Sequence, residues 1–151
     1  MNIGEVCTRE VYLVNPSEPL LLAAREMRQR NIGCVIVVEQ RGTPLVPIGI
    51  VTDRDIARAL PEHPSNLGAV PVADIMTRDP LALSENESIV DAMVRLRHRG
   101  VRRAPVVAAS GDLVGIVSTD DLLGIIAEQL GSLAQLVDRQ MRSARQRAAP
   151  R

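Results

Sequence analysis

The sequence predicts an α/β protein made of two copies of a strand-helix-strand-strand-helix unit, packed about a pseudo-two-fold axis and followed by a C-terminal helix. Three observations predict it. Residue n in the first half resembles residue n + 69 in the second from Ile3 to Val38, which marks an internal repeat. Residues 49 to 56, Gly-Ile-Val-Thr-Asp-Arg-Asp-Ile, return at 115 to 122 as Gly-Ile-Val-Ser-Thr-Asp-Asp-Leu. In each copy, a stretch of helical period is followed by short apolar runs rich in β-branched residues. Each unit carries a strand pair too apolar to stay exposed, and only its twin offers a matching face. The units are therefore expected to pack sheet to sheet, with ligand clefts at their shared interface.

The elements follow in order. Glu5 to Glu10 lies over Asp74 to Asp79 as a lead-in segment, and Val11 to Val14 over Pro80 to Leu83 as a short strand. Ser17 and Asn86 are N-cap types at equivalent positions. Leu20, Ala23, Ala24 and Met27 match Ile89, Ala92, Met93 and Leu96, the i, i+3, i+4, i+7 stripe of a helix with one buried face. Arg28, Arg30, Arg97 and Arg99 complement the negative end of its dipole, and Asn31 and Gly100 end it. Strands are expected at Cys34 to Val38 and Val46 to Val51, and at Ala104 to Ala108 and Leu113 to Val117. The connection between the second pair of strands (109 to 112) is three residues shorter than that between the first pair (39 to 45), so the offset becomes 66 after it. Helices resume at Ile56 to Leu60 and Leu122 to Leu130. The first unit spans 1–60, a linker with three prolines spans 61–73, the second unit spans 74–130, and a C-terminal helix with a basic tail spans 131–151.

Gly131-Ser132 is expected to break and recap this last helix, whose apolar positions are Leu133, Val137, Met141 and Ala144. Arg139, Arg142, Arg145 and Arg147 fill the remainder. Two readings stand: the helix packs back on its own domain, or it is a dimerisation or docking helix.

Composition narrows the function. Acidic and basic residues balance at 18 each, so no global field draws nucleic acid or an anionic membrane. One tyrosine and no phenylalanine or tryptophan leave no base-stacking platform. Cys7 and Cys34 match neither a CxxC motif nor a disulfide framework and read as reduced, buried thiols in a cytoplasmic protein. His63 and His98 are far apart, so no metal site is expected. No basic and apolar leader appears, and no apolar run approaches the roughly 18 residues of a membrane span, so export and membrane insertion are not expected. Nucleophile–base pairs, metal clusters and P-loops are missing too, which argues against an enzyme.

The repeated phrase is the candidate site. A glycine opens an apolar strand that runs into a hydroxyl, Thr52 or Ser118, with a carboxylate three positions on, Asp55 or Asp121. A helix starting there directs free backbone N–H groups and its positive dipole end outward, which suits an anion. The same spacing is that of a capping box, a structural device. A cap alone accounts neither for the paired Asp nor for the preceding glycine. Asp53, Arg54 and Asp120 read as solvated charges at the helix starts.

The repeat resembles the cystathionine-β-synthase (CBS) domain family, two copies of which form a Bateman module. The likeness runs from residue 3 to about 130 and rests on the two corners and on Arg102-Arg103-Ala104-Pro105-Val106-Val107. It implies a regulatory sensor of adenosine-containing ligands acting on a partner protein in trans, with AMP, ADP and ATP ahead of S-adenosylmethionine and NAD. The alternative is a ligand-free oligomerisation or adaptor module. Asp55 and Asp121 match the family's ribose-binding aspartate, and Thr52 and Ser118 carry over as ligand contacts. Arg102 and Arg103 match positions that face phosphates, whereas the first repeat has Gly33 and Cys34 there. Phosphate is thus expected at the Asp121 corner, unless it crosses between repeats to Asp55. The family's disc-shaped assemblies imply a homodimer.

Overall fold

The computed structural model describes residues 1–39 and 44–148, with side chains to residue 143. Most of the first hairpin loop, residues 40–43, therefore lies outside the described residues, as do the side chains of Ala144, Arg145 and Arg147. Two sheets form. The first has the order β1-β2-β3-β4, with β1 at Leu13–Val14, β2 at Cys34–Val38, β3 at Pro47–Thr52 and β4 at Thr77–Arg78. In the second, β5 (Leu83–Ser84), β6 (Arg103–Val107) and β7 (Leu113–Ser118) lie in that order. β1 runs parallel to β2 and β5 parallel to β6, while β2–β3 and β6–β7 are antiparallel hairpin pairs. Both hairpins carry a register shift at the same place, between Val37 and Val38 and between Val106 and Val107.

Helices cover the outer faces. α1 is Ile3–Val6, α2 Leu20–Arg30, α3 Asp53–Ala59, α4 Val72–Ile75, α5 Ile89–Arg99 and α6 Thr119–Ala148. On β2, Val35 and Val37 face α2 in one core with Leu20, Ala23 and Met27, while Ile36 and Val38 face the other way. Burial on both faces is what a nearly continuous apolar strand encodes. The second face joins the sheets: Ile36, Val38 and Ile50 form a cluster with Leu13, Leu113 and Ile116. The units do pack sheet to sheet.

Asn31 and Gly100 end α2 and α5 in the left-handed conformation, as their types predict. The N-caps differ from expectation. Ser17 and Asn86 sit inside turns closed by Glu18 N–H to Asn15 O and Glu87 N–H to Ser84 O, so each helix starts two residues later. Ser88 caps α5, and Pro19 stands at the equivalent position before α2.

Two further features follow from tertiary packing. The lead-in segment of each repeat crosses to the other: Ile3 is buried with Leu83, Ala92 and Leu96, while Val72 and Met76 are buried with Val14 and Leu20. Val70 and Val72, at the end of the predicted linker, are thus core residues. Second, α6 runs unbroken through Gly131-Ser132. One glycine inside a helix costs only about 1 kcal/mol, and the Ser132 hydroxyl bonds back to Glu128 O at 3.1 Å instead of capping a new helix. The far half of α6 does not pack back on the domain: Leu133, Val137 and Met141 are 59%, 51% and 52% exposed.

Candidate functional site

Each corner forms because an extended strand residue at the sheet's end turns directly into a helix. Thr52 has φ −111° and ψ 163°, and the next residue is helical. The Thr52 N–H and hydroxyl both donate to Asp55 Oδ2, at 2.8 and 2.7 Å, and the Asp55 N–H donates back to Thr52 Oγ1 at 3.3 Å. The second corner repeats this. Ser118 N–H and Oγ donate to Asp121 Oδ2 at 3.1 and 2.5 Å, and Asp121 N–H donates to Ser118 Oγ at 3.2 Å. Both carboxylates are therefore capping-box members, with Asp in the place of the usual Glu.

The glycine also has a structural origin. At Gly115 a Cβ would stand 2.6 Å from the Thr8 carbonyl oxygen and 2.9 Å from Cys7 Sγ; at Gly49 it would stand 2.5 Å from Met76 Sδ. These are the crossing lead-in segments. Thr8 bridges Ile116 through two 2.9 Å backbone bonds, and Thr77 and Arg78 pair with Ile50 and Gly49. Capping and crossing thus account for the Asp and the Gly, the two features that a simple cap left over.

What capping leaves is chemistry on one side of each carboxylate. Oδ2 of Asp55 already accepts two bonds, whereas its Oδ1 accepts none among the described residues. That oxygen has two lone pairs available to hydroxyl donors. Asp55 is half-buried and Asp121 exposed.

The two repeats meet at an open cleft of about 410 Å³, which brings the Thr52–Asp55 corner of the first together with the start of β6 from the second. Its charged lining is Asp53, Arg54, Asp55, Arg58, Arg102 and Arg103. The β6 arginines thus line the cleft at the Asp55 corner, the crossing arrangement that the sequence left open beside the Asp121 corner. Although the Arg103 backbone lies opposite Ser118 in the sheet, its guanidinium reaches across to the first repeat, with Nη2 2.8 Å from where a Gly33 Cβ would stand. A side chain at position 33 would displace the guanidinium from this path. Ser118 and Asp121 are outside this cleft. Arg102 also reaches Asp120, at 3.0 and 3.2 Å, a pair exposed on both sides.

Arg58 was not singled out from sequence, and Arg54 was read as solvated. The available signal was the repeat itself: at the offset of 66, Arg54 and Arg58 align with Asp120 and Gly124. Departure from symmetry at equivalent positions marked them. Cys7 and Cys34 are half-buried where full burial was expected; partial burial still pushes both thiols above their ordinary value, with Arg9 and Arg103 respectively opposing it, so both remain protonated at neutral pH. Among the described residues no group of three or more His, Cys, Asp or Glu is placed to hold a metal, and no helix is long and apolar enough to cross a membrane.

Residues 3–62 and 72–128 each match the CBS domain family. The chain belongs to that family. This CBS pair is 34% identical over 121 residues to the CBS domain-containing protein YhcV of Bacillus subtilis, covering 80% of this chain and 82% of that one. A CBS-domain protein from Burkholderia ambifaria superposes with a TM-score of 0.70 at 30% identity, over 80% of this chain and 86% of the other. The CBSX2 protein in complex with AMP superposes with a TM-score of 0.69 at 25% identity, over 84% and 96% of the two chains. The chain spans 62% of the length of an uncharacterised Methanopyrus kandleri relative, with 32% identity over 125 residues.

Proposed function

We propose that this CBS pair is a regulatory module that senses an adenosine nucleotide of the AMP, ADP and ATP class and acts on a partner protein in trans. The observation that carries the reading is the cleft, in which a half-buried carboxylate with one free oxygen faces arginines contributed by the other repeat. Asp55 supplies acceptors for the ribose hydroxyls. The N-terminus of α3, with Thr52 beside it, and the guanidinium groups of Arg102 and Arg103 hold phosphate oxygens. Ser118 and Asp121 offer the same corner to a second, uncharged group. The AMP complex of a relative with the same fold supports this assignment.

A thermal-shift series with AMP, ADP, ATP, S-adenosylmethionine and NAD tests it. A ligand at a hundredfold excess over its Kd stabilises by about 2.7 kcal/mol, or roughly 5–10 °C for a chain of this size. No shift with any of the five leaves the adaptor reading, which has its own observation. Leu130, Leu133, Leu136, Val137 and Met141 lie uncovered on α6. An uncovered apolar stripe of this length marks a surface that pairs with another chain.

A further inference from the structure

The match to the CBS family ends at residue 128, whereas α6 continues to Ala148, so the far half of this helix is an addition to the family fold. Apolar residues stand on α6 at Leu123, Ile126, Leu130, Leu133, Val137 and Met141. Their spacing of 3, 4, 3, 4, 4 is close to the 3.5-residue period of a helix that pairs with another helix. The charged residues between them, Glu128, Asp138, Arg139 and Arg142, all fall off this stripe at 3.6 residues per turn. Ala127 and Ala134 border it seven residues apart, and side chains this small let a second helix axis come to about 8 Å. Leu123, Leu130, Leu133, Val137 and Met141 are each more than half exposed. At its near end the stripe opens into a groove of about 410 Å³ between α5 and α6, where Leu123 and Ile126 line the wall with Met93, Leu96 and Val101.

We propose that α6 of a second copy of this chain covers the stripe, lying antiparallel, so that the far half of each helix seats on the near half and groove of the other. Groove and stripe are complementary parts of one surface, and a two-fold contact centred near Leu133 uses both parts of both copies and closes. In that register Val137 meets Leu130 of the other copy and Met141 meets Ile126, at the groove, which an unbranched thioether side chain is suited to fill. Parallel pairing would align the far halves with each other and leave both grooves open to water. Charge selects the same direction. The near half of α6 carries Asp120, Asp121 and Glu128 and no cation, while the far half carries Asp138 against Arg139, Arg142, Arg145 and Arg147. Arg102 pairs with Asp120, and Arg97 lines the groove beside it, so Asp121 and Glu128 are the acids left to attract the arginines of the other copy. In the parallel arrangement those arginines would stand side by side and repel, and the two helix dipoles would be aligned instead of opposed.

Sedimentation of the full chain and of two variants, with one distance measurement, tests contact and direction. Leu133→Asp changes an exposed residue outside both cores and is expected to weaken the dimer about a hundredfold or more, because the charge falls at the centre of the contact in both copies. Arg139→Gln combined with Arg142→Gln is expected to weaken it about threefold by removing cations that face the acids of the other copy. Pulsed electron resonance between spin labels on Ser143→Cys, in a chain also carrying Cys7→Ala and Cys34→Ala, reads the direction. Antiparallel pairing centred at Leu133 separates the two labels by about 30 Å at 1.5 Å per residue, and parallel pairing keeps them within about 20 Å. A monomeric full chain, which would leave the stripe to a different protein, overturns the proposal, as does a Leu133→Asp chain that dimerises like wild type. A label distance within about 20 Å, or a dimer tightened by the double arginine change, reports parallel helices and overturns it equally. None of these results bears on ligand binding, which the thermal-shift series reads separately.

Discussion

Gly115→Ala and Gly49→Ala are the same change at equivalent positions of the two repeats, and the structure separates their outcomes. At Gly115 the new methyl meets a backbone atom, the Thr8 carbonyl oxygen, at 2.6 Å. That oxygen accepts from the Ile116 N–H at 2.9 Å, and the Thr8 N–H donates to Ile116 O at 2.9 Å, so the contact cannot open without stretching the bridge. Overpacking of this kind costs about 1–3 kcal/mol, and a weakened backbone bond adds about 0.5–1.5 kcal/mol. Against this, alanine recovers about 0.5–1 kcal/mol of the entropy that glycine loses in a strand. The net is a loss of about 2 kcal/mol, or roughly 4–8 °C in Tm for a chain of this size. At Gly49 the nearest atoms are Met76 Sδ and Cγ, the end of an adaptable side chain, with Val37 Cβ next at 3.3 Å. Gly49→Ala is expected to stay within about 1 kcal/mol of wild type. Urea denaturation with a common m-value reads the difference. If Gly115→Ala unfolds at the wild-type midpoint or above, or Gly49→Ala loses more than Gly115→Ala, the crossing does not explain the glycines.

Two more outcomes are expected. Gly131 lies in mid-helix with nothing within 4 Å of a Cβ built on it, so Gly131→Ala should raise the helical signal of α6 and stabilise it by about 0.5–1 kcal/mol. An unchanged helical signal would mean that the helix is broken there in solution. Because the stripe from Leu130 to Met141 is uncovered, the full chain should sediment as a homodimer at micromolar concentration, and removal of residues 131–151 should weaken that dimer. A monomeric full chain, or a truncation that dimerises equally well, would exclude α6 as the dimer contact.

Sequence alone determined the repeat, the strand-helix-strand-strand-helix order within it, the left-handed helix ends at Asn31 and Gly100 and the two hydroxyl–carboxylate corners, but not the short helices α1 and α4 or the strand β4 of the lead-in segments. Each of these depends on residues close together in the chain, where side-chain type and spacing act directly on local backbone conformation. It also showed that the two repeats carry different charges, because aligned positions are legible without coordinates. What only the tertiary structure decided concerns crossings. That Ile3 belongs to the second core and Val72 to the first, that Gly49 and Gly115 make room for the partner repeat's lead-in segment, and that Arg103 lines the cleft at the Asp55 corner all join residues far apart in the chain. Local pattern specifies that such residues are apolar, small or cationic, and not which repeat they face. The continuity of α6 belongs with these: Gly131-Ser132 is a break by local preference, but a preference of about 1 kcal/mol does not outweigh the helical residues on either side.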